Sequence, residues 1–426
     1  MTKIALVVLD TLRKDAFDEY FDWLPGKRFE NAWSVSHWTA AVHASLFGGK
    51  YPSELGVHKK SESLDMDSPT LAALLRDEGF STRAFSANPY VSKPFKFDRG
   101  FDEFSGTWKM RIHNEELFNW MDFISESHTD GPSRYLRALW NCVASDCETI
   151  PSLKFGLNIK FEALGLSEYI GDSDDGAAQA LRMVKKESFR EESVFQFINL
   201  MEAHGPYNPP QEYKSVGVND SPGIKQIIRG DDIDPTPIRQ AYDDSVRYLS
   251  DMYKKIFSEL AEDFDYVITL SDHGEMFGEH NAWGHSYGIY PELTHVPLTI
   301  YDGTDTKTVC EKPVSLLDIH QTIIDMAGID APSDGSTLLD GVEGHTSLTE
   351  YHGMNTRMVT KLRDDGFSES IIREYDQPLN GIALPSNYYG FETIDGFCEE
   401  GVTDIPDPGQ MLDDIRSELD VRHIHD

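Results

Sequence analysis

Apolar residues in this chain gather in short unbroken runs that end on a polar residue. Lys3–Asp10 (KIALVVLD), Ser81–Pro89 (STRAFSANP), Ser193–His204 (SVFQFINLMEAH), Asp265–His273 (DYVITLSDH) and Val296–Asp302 (VPLTIYD) share this form. Continuous apolar runs without strict alternation mark strands buried on both faces, as in parallel sheets. Between the runs the period becomes helical. Ser68–Phe80 opens on a capping Ser, carries a Pro just inside and stops at Gly79. Ala241–Asp263 is amphipathic at helical spacing and leads directly into the fourth run. Ser315–Ile329 is a further helix, ended by Gly328. Strands alternating with helices predict an α/β fold, a doubly wound, mostly parallel sheet with helices on both faces. Ligands bind such sheets at the carboxyl ends of strands. Asp10, His204, Asp272 and His273 fall at those ends.

Two stretches break the rhythm. Residues 105–190 hold Trp108, Trp120 and Trp140 with the local cations Lys109, Arg111, Lys154 and Lys160. This segment reads either as a lid or substrate-selecting insertion or as helices packed on the sheet edge. From 341 onward the pattern weakens and Asp, Glu and Gly accumulate. The expected organisation is a catalytic domain over 1–340 and a small acidic C-terminal subdomain over 341–426.

Charge narrows the partners. Asp plus Glu total 73 against 38 Lys plus Arg, a formal net charge of -35 over 426 residues. Such a surface repels nucleic acid phosphates and anionic membranes, so neither is an expected partner. An excess of this size suits very high salt, where the Debye length falls to roughly 3 Å and self-repulsion is screened. A halophilic cytoplasm is the expectation, and an ordinary acidic protein is the alternative. Unfolding in dilute buffer with recovery in molar KCl separates the two. Cys142, Cys147, Cys310 and Cys398 form no CxxC pair, so neither a disulfide framework nor a zinc site is expected. The apolar run Ile4–Leu9 is too short for a secretory core or a membrane span, and no later segment is long enough. A cytoplasmic protein without a membrane segment is expected, with its oligomeric state open.

Three segments carry chemistry. In Ser36–His58 (SHWTAAVHASLFGGKYPSELGVH), Thr39 opens a helix-like run ended by Gly48 and Gly49. Its hydroxyl would face an anion favoured by backbone amides and the helix dipole. His43 lies four residues on, on the same face, where it could bond the anion's oxygens. A plain capping Thr and a surface His remain the alternative. In Ser271–Tyr290 (SDHGEMFGEHNAWGHSYGIY), Asp272 and His273 leave a strand together, a natural half-site for a divalent cation. Asp10 supplies another oxygen, and Thr39 Oγ could complete the set. A coordinated hydroxyl loses its proton far more easily than a free one, which answers the weakness of a Thr nucleophile. His280, His285 and His295 follow in the same loop-rich stretch. In Met201–Pro210 (MEAHGPYNPP), His204 enters a Gly/Pro-rich loop, placed to contact an ester or protonate a leaving group, or to serve the fold alone.

The order and wording of these segments resemble the sulfatases of the alkaline phosphatase superfamily. Asp10 resembles the family's first metal aspartate, and Thr39–Gly49 its nucleophile signature. Thr70–Phe104 resembles its second strand region, AHGPYNPP its substrate-contacting His loop, SDHGEMFGEHNAWGH its second metal half-site, and VSLLDIHQTIIDMAGI its late helix. The resemblance runs over roughly residues 1–345 in consistent order. It implies an alkaline-phosphatase-like fold and hydrolysis or transfer of a phosphate or sulfate ester.

Departures from the family pattern refine that expectation. Family sulfatases convert a Cys or Ser at the nucleophile position to formylglycine. Thr39 would give a ketone instead of that aldehyde. His43 stands where the family has Arg, Thr11 where it has a second aspartate, His273 where it has Asn, and His285 where it has Lys. An imidazole among oxygen ligands shifts preference from calcium toward manganese or zinc. The Thr nucleophile with an Asp, Asp-His set resembles the phosphodiesterases and phosphoglycerol transferases of the superfamily. The expected site is therefore one divalent metal, manganese first and zinc, calcium or magnesium after it, held by Asp10, Thr39, Asp272 and His273. Thr39, His43, His204 and His285 are the expected catalytic residues, with His43, His204 and His285 contacting substrate. Phosphodiesters of a small molecule, glycan or lipid are favoured. A sulfuric ester hydrolase without formylglycine, and a non-catalytic member of a glycan or lipid assembly, are the alternatives.

Overall fold

The computed structural model describes residues 2–107, 109–110, 117–120, 123–124, 133–145, 147–163, 176–186, 189, 193–218 and 221–425. Its centre is an eight-stranded sheet. The strands are β1 (Lys3–Leu9), β2 (Gly26–Phe29), β3 (Ser81–Ser86), β4 (Glu103–Gly106), β5 (Val194–Leu200), β6 (Tyr266–Leu270), β7 (Leu298–Tyr301) and β8 (Lys307–Cys310). Their order across the sheet is β8-β2-β7-β6-β1-β5-β3-β4. From β6 to β4 all pairings are parallel. Only β7 runs against its neighbours, β6 and β2. The apolar run Val296–Asp302 thus supplies the one reversed strand of a mostly parallel sheet.

The central position of β1 explains its composition. Every residue from Ile4 to Leu9 is fully buried. Ile4, Leu6 and Val8 join one core, with side chains of α2 (Thr39–Gly48), α3 (Leu71–Asp77) and α8 (Asp318–Ala327). Ala5, Val7 and Leu9 join the other, with α1 (Lys14–Tyr20), α6 (Ala177–Lys186) and α7 (Thr236–Asp263). A strand that feeds two cores has no polar face, hence the absence of alternation.

The helix boundaries differ from the sequence reading at three starts, and α8 begins at Asp318, three residues after Ser315, which lies in a short strand. The cap of α3 is Thr70, not Ser68. Thr70 Oγ1 accepts the Ala73 amide at 3.3 Å and donates to the Arg99 carbonyl at 2.7 Å, so a tertiary partner selects it over Ser68. Helix α7 starts at Thr236, five residues before Ala241, with Pro237 in its first turn, where a missing N–H costs nothing.

In the 105–190 stretch, α4 (Ser133–Ala144) packs on α5 (Thr149–Ala163). Trp120 Nε1 donates to the Ser152 carbonyl at 2.7 Å, and Trp140 and Lys154 are exposed. Trp108 and Arg111 lie outside the described residues.

The C-terminal stretch forms a separate antiparallel meander, β9 (Ser347–Tyr351), β10 (Leu379–Leu384), β11 (Tyr388–Thr393) and β12 (Gly396–Glu400), in that order. Its first strand grips the segment leading into α2. Glu350 N donates to the Val35 carbonyl at 2.8 Å, Ser36 Oγ to the Glu350 carbonyl at 2.8 Å, and Thr349 Oγ1 to the Ser34 carbonyl at 2.7 Å. The Glu350 carboxylate accepts from Ser53 N and Oγ at 2.9 and 2.6 Å. Among the described residues no helix is long and apolar enough to cross a membrane.

His320, on α8, lies under the end of α2, where neither ring nitrogen has a partner. Gly49 makes room for it. With φ at +66°, a Cβ there would stand 2.5 Å from His320 Nδ1. Burial pushes the His320 imidazole down from 6.5 to about 4. The unfolded chain then binds the proton that the fold excludes between those values. Stability is full above pH 6.5 and is lost as pH falls toward 4, by on the order of 3 kcal/mol. His320→Leu is expected to remove this part of the acid sensitivity in urea midpoints taken from pH 4 to 7. An acid slope equal to that of the unsubstituted protein counts against it.

Candidate active site

The carboxyl ends of β1, β3, β5 and β6 converge beside the start of α2. Asp10 follows β1, Asn88 follows β3, Asn199 lies in β5, and Asp272 and His273 follow β6. Thr39 is the first residue of α2. Ligand atoms of Asp10, Asp272 and His273 all lie within 4.8 Å of one another, and all three residues are fully buried. Asp272 Oδ1 accepts the amides of Thr11 and His273 at 3.1 and 3.0 Å. Asp272 Oδ2 has no hydrogen-bond partner. Asp10 Oδ2 accepts from the Asn88 and Asn199 side-chain amides at 2.8 and 3.2 Å, and its Oδ1 from Thr11 Oγ1 at 2.9 Å. His273 Nδ1 donates to the Gly274 carbonyl at 2.9 Å, which leaves Nε2 as a bare lone pair. Thr39 Oγ1 stands 3.1 Å from that Nε2 and 3.4 Å from Asn88 Nδ2. One nitrogen therefore faces both the hydroxyl and the carboxylate pair.

Charge makes this group unstable on its own. Burial, then the Asp10 charge, pushes the Asp272 carboxyl up to about 6. Burial also pushes Asp10 up, but the neighbouring His204 and His273 rings and the Asn88 amide outweigh it and hold Asp10 below the ordinary carboxylate range. Of the two facing acids, Asp272 is the one that takes a proton. Burial pushes the imidazoles of His43, His273 and His285 down, so all three are neutral at pH 7. Two carboxylates among neutral imidazoles, with one oxygen unpaired, fit a bound cation.

The other sequence-derived candidates separate into three positions. His43 is fully buried. Its Nδ1 donates to the carbonyl of Thr39 at 2.8 Å, and its Nε2 faces Asn199 Nδ2 at 3.4 Å. His204 and His285 stand beside His273, with ring centroids 5.0 Å apart for the first two and 4.6 Å for His285 and His273. His204 Nδ1 donates to the Gly205 carbonyl at 2.6 Å, and His285 Nδ1 to Glu275 Oε1 at 2.9 Å. Both keep Nε2 bare. His280 stacks on Tyr290, 4.8 Å between centroids. His295 stacks on Trp33 and meets the Glu30 carbonyl at 2.7 Å, away from the carboxylate pair.

Sequence reasoning gave no role to several members of this constellation. Thr11 adopts φ +64°, a conformation strained for a β-branched residue. In that pose its hydroxyl binds Asp10 and its amide binds Asp272. Asn88 and Asn199 sit at strand ends, where polar residues inside apolar runs were the available signal. Glu275 and Tyr207 lie within quoted motifs but drew no role. Lys59 is buried, and its amine donates to the His285 and Ser286 carbonyls at 3.3 and 2.9 Å. Burial pushes that amine down to about 7. Nothing in its sequence setting marks it.

Comparison with known proteins follows the same lines. The Sulfatase family model matches residues 21–329. Arylsulfatase K of Mus musculus is 34% identical over 117 residues, 24% of this chain and 21% of that protein. An uncharacterized sulfatase of Escherichia coli strain K12, YidJ, is 20% identical over 352 residues, 77% of this chain and 66% of that protein. The matches thus span less than two thirds of either relative's length. A phosphonate monoester hydrolase from Silicibacter pomeroyi superposes with a TM-score of 0.59 at 15% identity, covering 100% of this chain and 96% of that one. At that identity the likeness speaks for a shared fold.

Proposed function

The chain belongs to the sulfatase family, and on that premise we propose that it hydrolyses esters of phosphoric or sulfuric acid at Thr39, phosphodiesters above others. The observation that supports this most is the placement of Thr39 Oγ1 3.1 Å from His273 Nε2, beside the unpaired Oδ2 of Asp272.

Asp10, Asp272 and His273 would hold one divalent cation, with Thr39 at its edge. Manganese suits the mixed oxygen and imidazole set best, ahead of zinc, calcium or magnesium. When bound, such an ion lowers the pKa of a nearby hydroxyl and offsets charge on a transferring group. The chain's own residues do the rest. The Asn88 amide orients the Thr39 hydroxyl, and amides of the first turn of α2 point toward the non-bridging oxygens of a bound ester. His43 holds the Thr39 carbonyl, fixing the turn that aims the hydroxyl. Thr39 Oγ forms a bond to phosphorus as the bond to the alcohol breaks; the hydroxyl's proton passes to water, and His204 or His285, having first taken a proton from water at Nε2, supplies the alcohol's proton. Water then displaces Thr39 Oγ from phosphorus and releases the phosphate monoester, which keeps the second alcohol. The alcohol part belongs to a small molecule, glycan or lipid. Sulfate esters share the tetrahedral geometry, which keeps a sulfuric ester hydrolase acting without formylglycine as the second reading.

The test is turnover of matched nitrophenyl phosphodiester, phosphate monoester and sulfate in molar KCl with manganese. A lead for the diester is the expected result. A lead for the sulfate overturns the phosphodiester preference and leaves the second reading. No turnover of any of the three, with no divalent cation raising thermal stability, overturns the hydrolase itself.

A further inference from the structure

Large apolar side chains at the surface are concentrated in one stretch. Among the described residues, six of the nine exposed ones fall between positions 124 and 157: Ile124, Leu139, Trp140, Val143, Ile150 and Leu157. All but Ile124 stand on α4 and α5. The helical period sorts each helix into two faces. On α4, Ala138 and Cys142 are buried, while Leu139, Trp140 and Val143 form an outward stripe, with Trp140 71% exposed. On α5, Ser152, Phe155 and Gly156 turn inward. Ser152 Oγ accepts the Phe118 amide at 3.0 Å, and a Cβ at Gly156 would stand 2.4 Å from the Trp120 ring. Ile150, Lys154 and Leu157 form the outward stripe of α5, with Ile150 69% exposed. Small residues thus fill much of the packed side and large apolar ones face solvent, the reverse of a helix pair that covers a core.

Charge on this pair departs from the rest of the chain. Helices α4 and α5 carry Arg134, Arg137, Lys154 and Lys160 against one acid, Glu162, in a chain whose acids outnumber its bases 73 to 38. The net charge of -35 keeps the body of the protein off an anionic surface, and the helix pair is exempt from that repulsion. Apolar stripes with a Trp and interleaved Lys and Arg are what helices lying in a bilayer interface carry. The apolar chains enter the acyl boundary, the indole sits at headgroup level, and the cationic stems reach up to the phosphates. A second copy fits this face less well, because apposing two of them sets cations against cations. Molar salt leaves the apolar part intact, and a cation touching a phosphate lies within even a Debye length of roughly 3 Å.

The pair is rooted beside the candidate active site. The chain leaves the sheet at Gly106, which pairs with Ser86, and Thr107 N donates to the Ser86 carbonyl at 3.3 Å. It returns at Ala177, whose amide donates to Glu202 Oε1 at 2.6 Å. Ser86 lies two residues before Asn88, and Glu202 two before His204.

We propose that the outward face of α4 and α5 is a docking surface for the headgroup layer of an anionic phospholipid bilayer, carried on a helix pair anchored at the sheet end that holds the candidate active site. Trp140 and its apolar neighbours enter the interface, and Lys154, between Ile150 and Leu157 on the same stripe, meets lipid phosphate. The protein docks in this way without a spanning segment.

The experiment is flotation of the full chain with phosphatidylglycerol vesicles in molar KCl, beside sedimentation velocity without vesicles. A monomer that floats with the vesicles is expected. Trp140→Glu and Ile150→Glu, one on each helix, are each expected to weaken vesicle affinity at least about tenfold, the loss of one buried apolar chain. Both should leave the urea midpoint unchanged, since both side chains face solvent. Flotation at undiminished affinity in both variants overturns the proposal, and so does failure of the unsubstituted chain to float. A dimer without vesicles that both substitutions convert to monomer, with no flotation, would assign the face to a second copy and overturn it too. None of these readings requires turnover, so failure of the hydrolase reading leaves the test intact.

Discussion

Thr39→Ala is expected to abolish turnover of every ester while the protein stays folded. Removing a nucleophile that acts in concert with its partners costs on the order of a million-fold in kcat. The structural cost is small by comparison. Thr39 is the first residue of α2 and not its cap, and Trp38 at the cap makes no side-chain bond. The lost contacts are the hydroxyl's bond to His273 and a long one to Asn88, together roughly 1 kcal/mol, partly offset by the better helix propensity of Ala. Urea midpoints within about 1 kcal/mol of the unsubstituted protein, with no measurable hydrolysis, are the expected pair of results. Thr39→Ser retains a hydroxyl at the same place and should keep substantial activity. Turnover by Thr39→Ala would show that water attacks directly and that the hydroxyl only lines the site.

The apolar runs were legible because burial on both sides of a sheet leaves a composition signature. Their ends were legible because chemistry in such sheets collects there. Asp10, Thr39, Asp272 and His273 could therefore be brought together on paper, and the fold brings them to one point. Helix starts were less legible. Ser68 and Thr70 are both competent caps, and only the Arg99 carbonyl, 29 residues away, decides between them. The same holds for Glu275. Its sequence neighbours announce a cation site, but its own partners, Tyr207 and His285, come from two loops that a single chain pattern does not relate. His43 is instructive in another way. Helical spacing placed it on the face of Thr39, and it does lie there, but the carbonyl of Thr39 claims its Nδ1. Sequence periodicity reports direction, and it does not report which acceptor along that direction takes the proton.

The C-terminal meander shows the limit of reading by composition. Its acidic, Gly-rich sequence suggested an appendage. Yet β9 hydrogen-bonds to residues 34–36, directly before Thr39, and Glu350 caps the turn at Ser53. The aim of α2 thus depends on residues more than 300 positions away, a dependence only three-dimensional pairing reveals.

Asp272→Asn is expected to be more stable than the unsubstituted protein in chelator and less stable than it in manganese. With chelator at pH 7, the unsubstituted fold carries an ionised, unpaired carboxylate whose folded value is about 6 against 3.8 for the free group. A folded value raised above the unfolded one contributes stability at low pH that is lost as pH climbs through about 6. By pH 7 the loss is roughly 3 kcal/mol for two units. Asn retains an oxygen for the Thr11 and His273 amides and has no charge to bury, so the variant should be the more stable protein in chelator. With manganese the order inverts. An ion at 1,000 times its dissociation constant adds about 4.1 kcal/mol to the unsubstituted protein, more than the roughly 3 kcal/mol lost in chelator. The variant, short of one anionic ligand, should gain little. Melting temperatures of both proteins in chelator and in manganese, at pH 5 and pH 7, give the full comparison. The two curves in chelator should draw together at pH 5, because the proton that Asp272 prefers is then available. An equal drop in the variant with and without metal, at both pH values, would mean that Asp272 holds the Thr11 turn and no ion, and the cation site would have to be sought elsewhere.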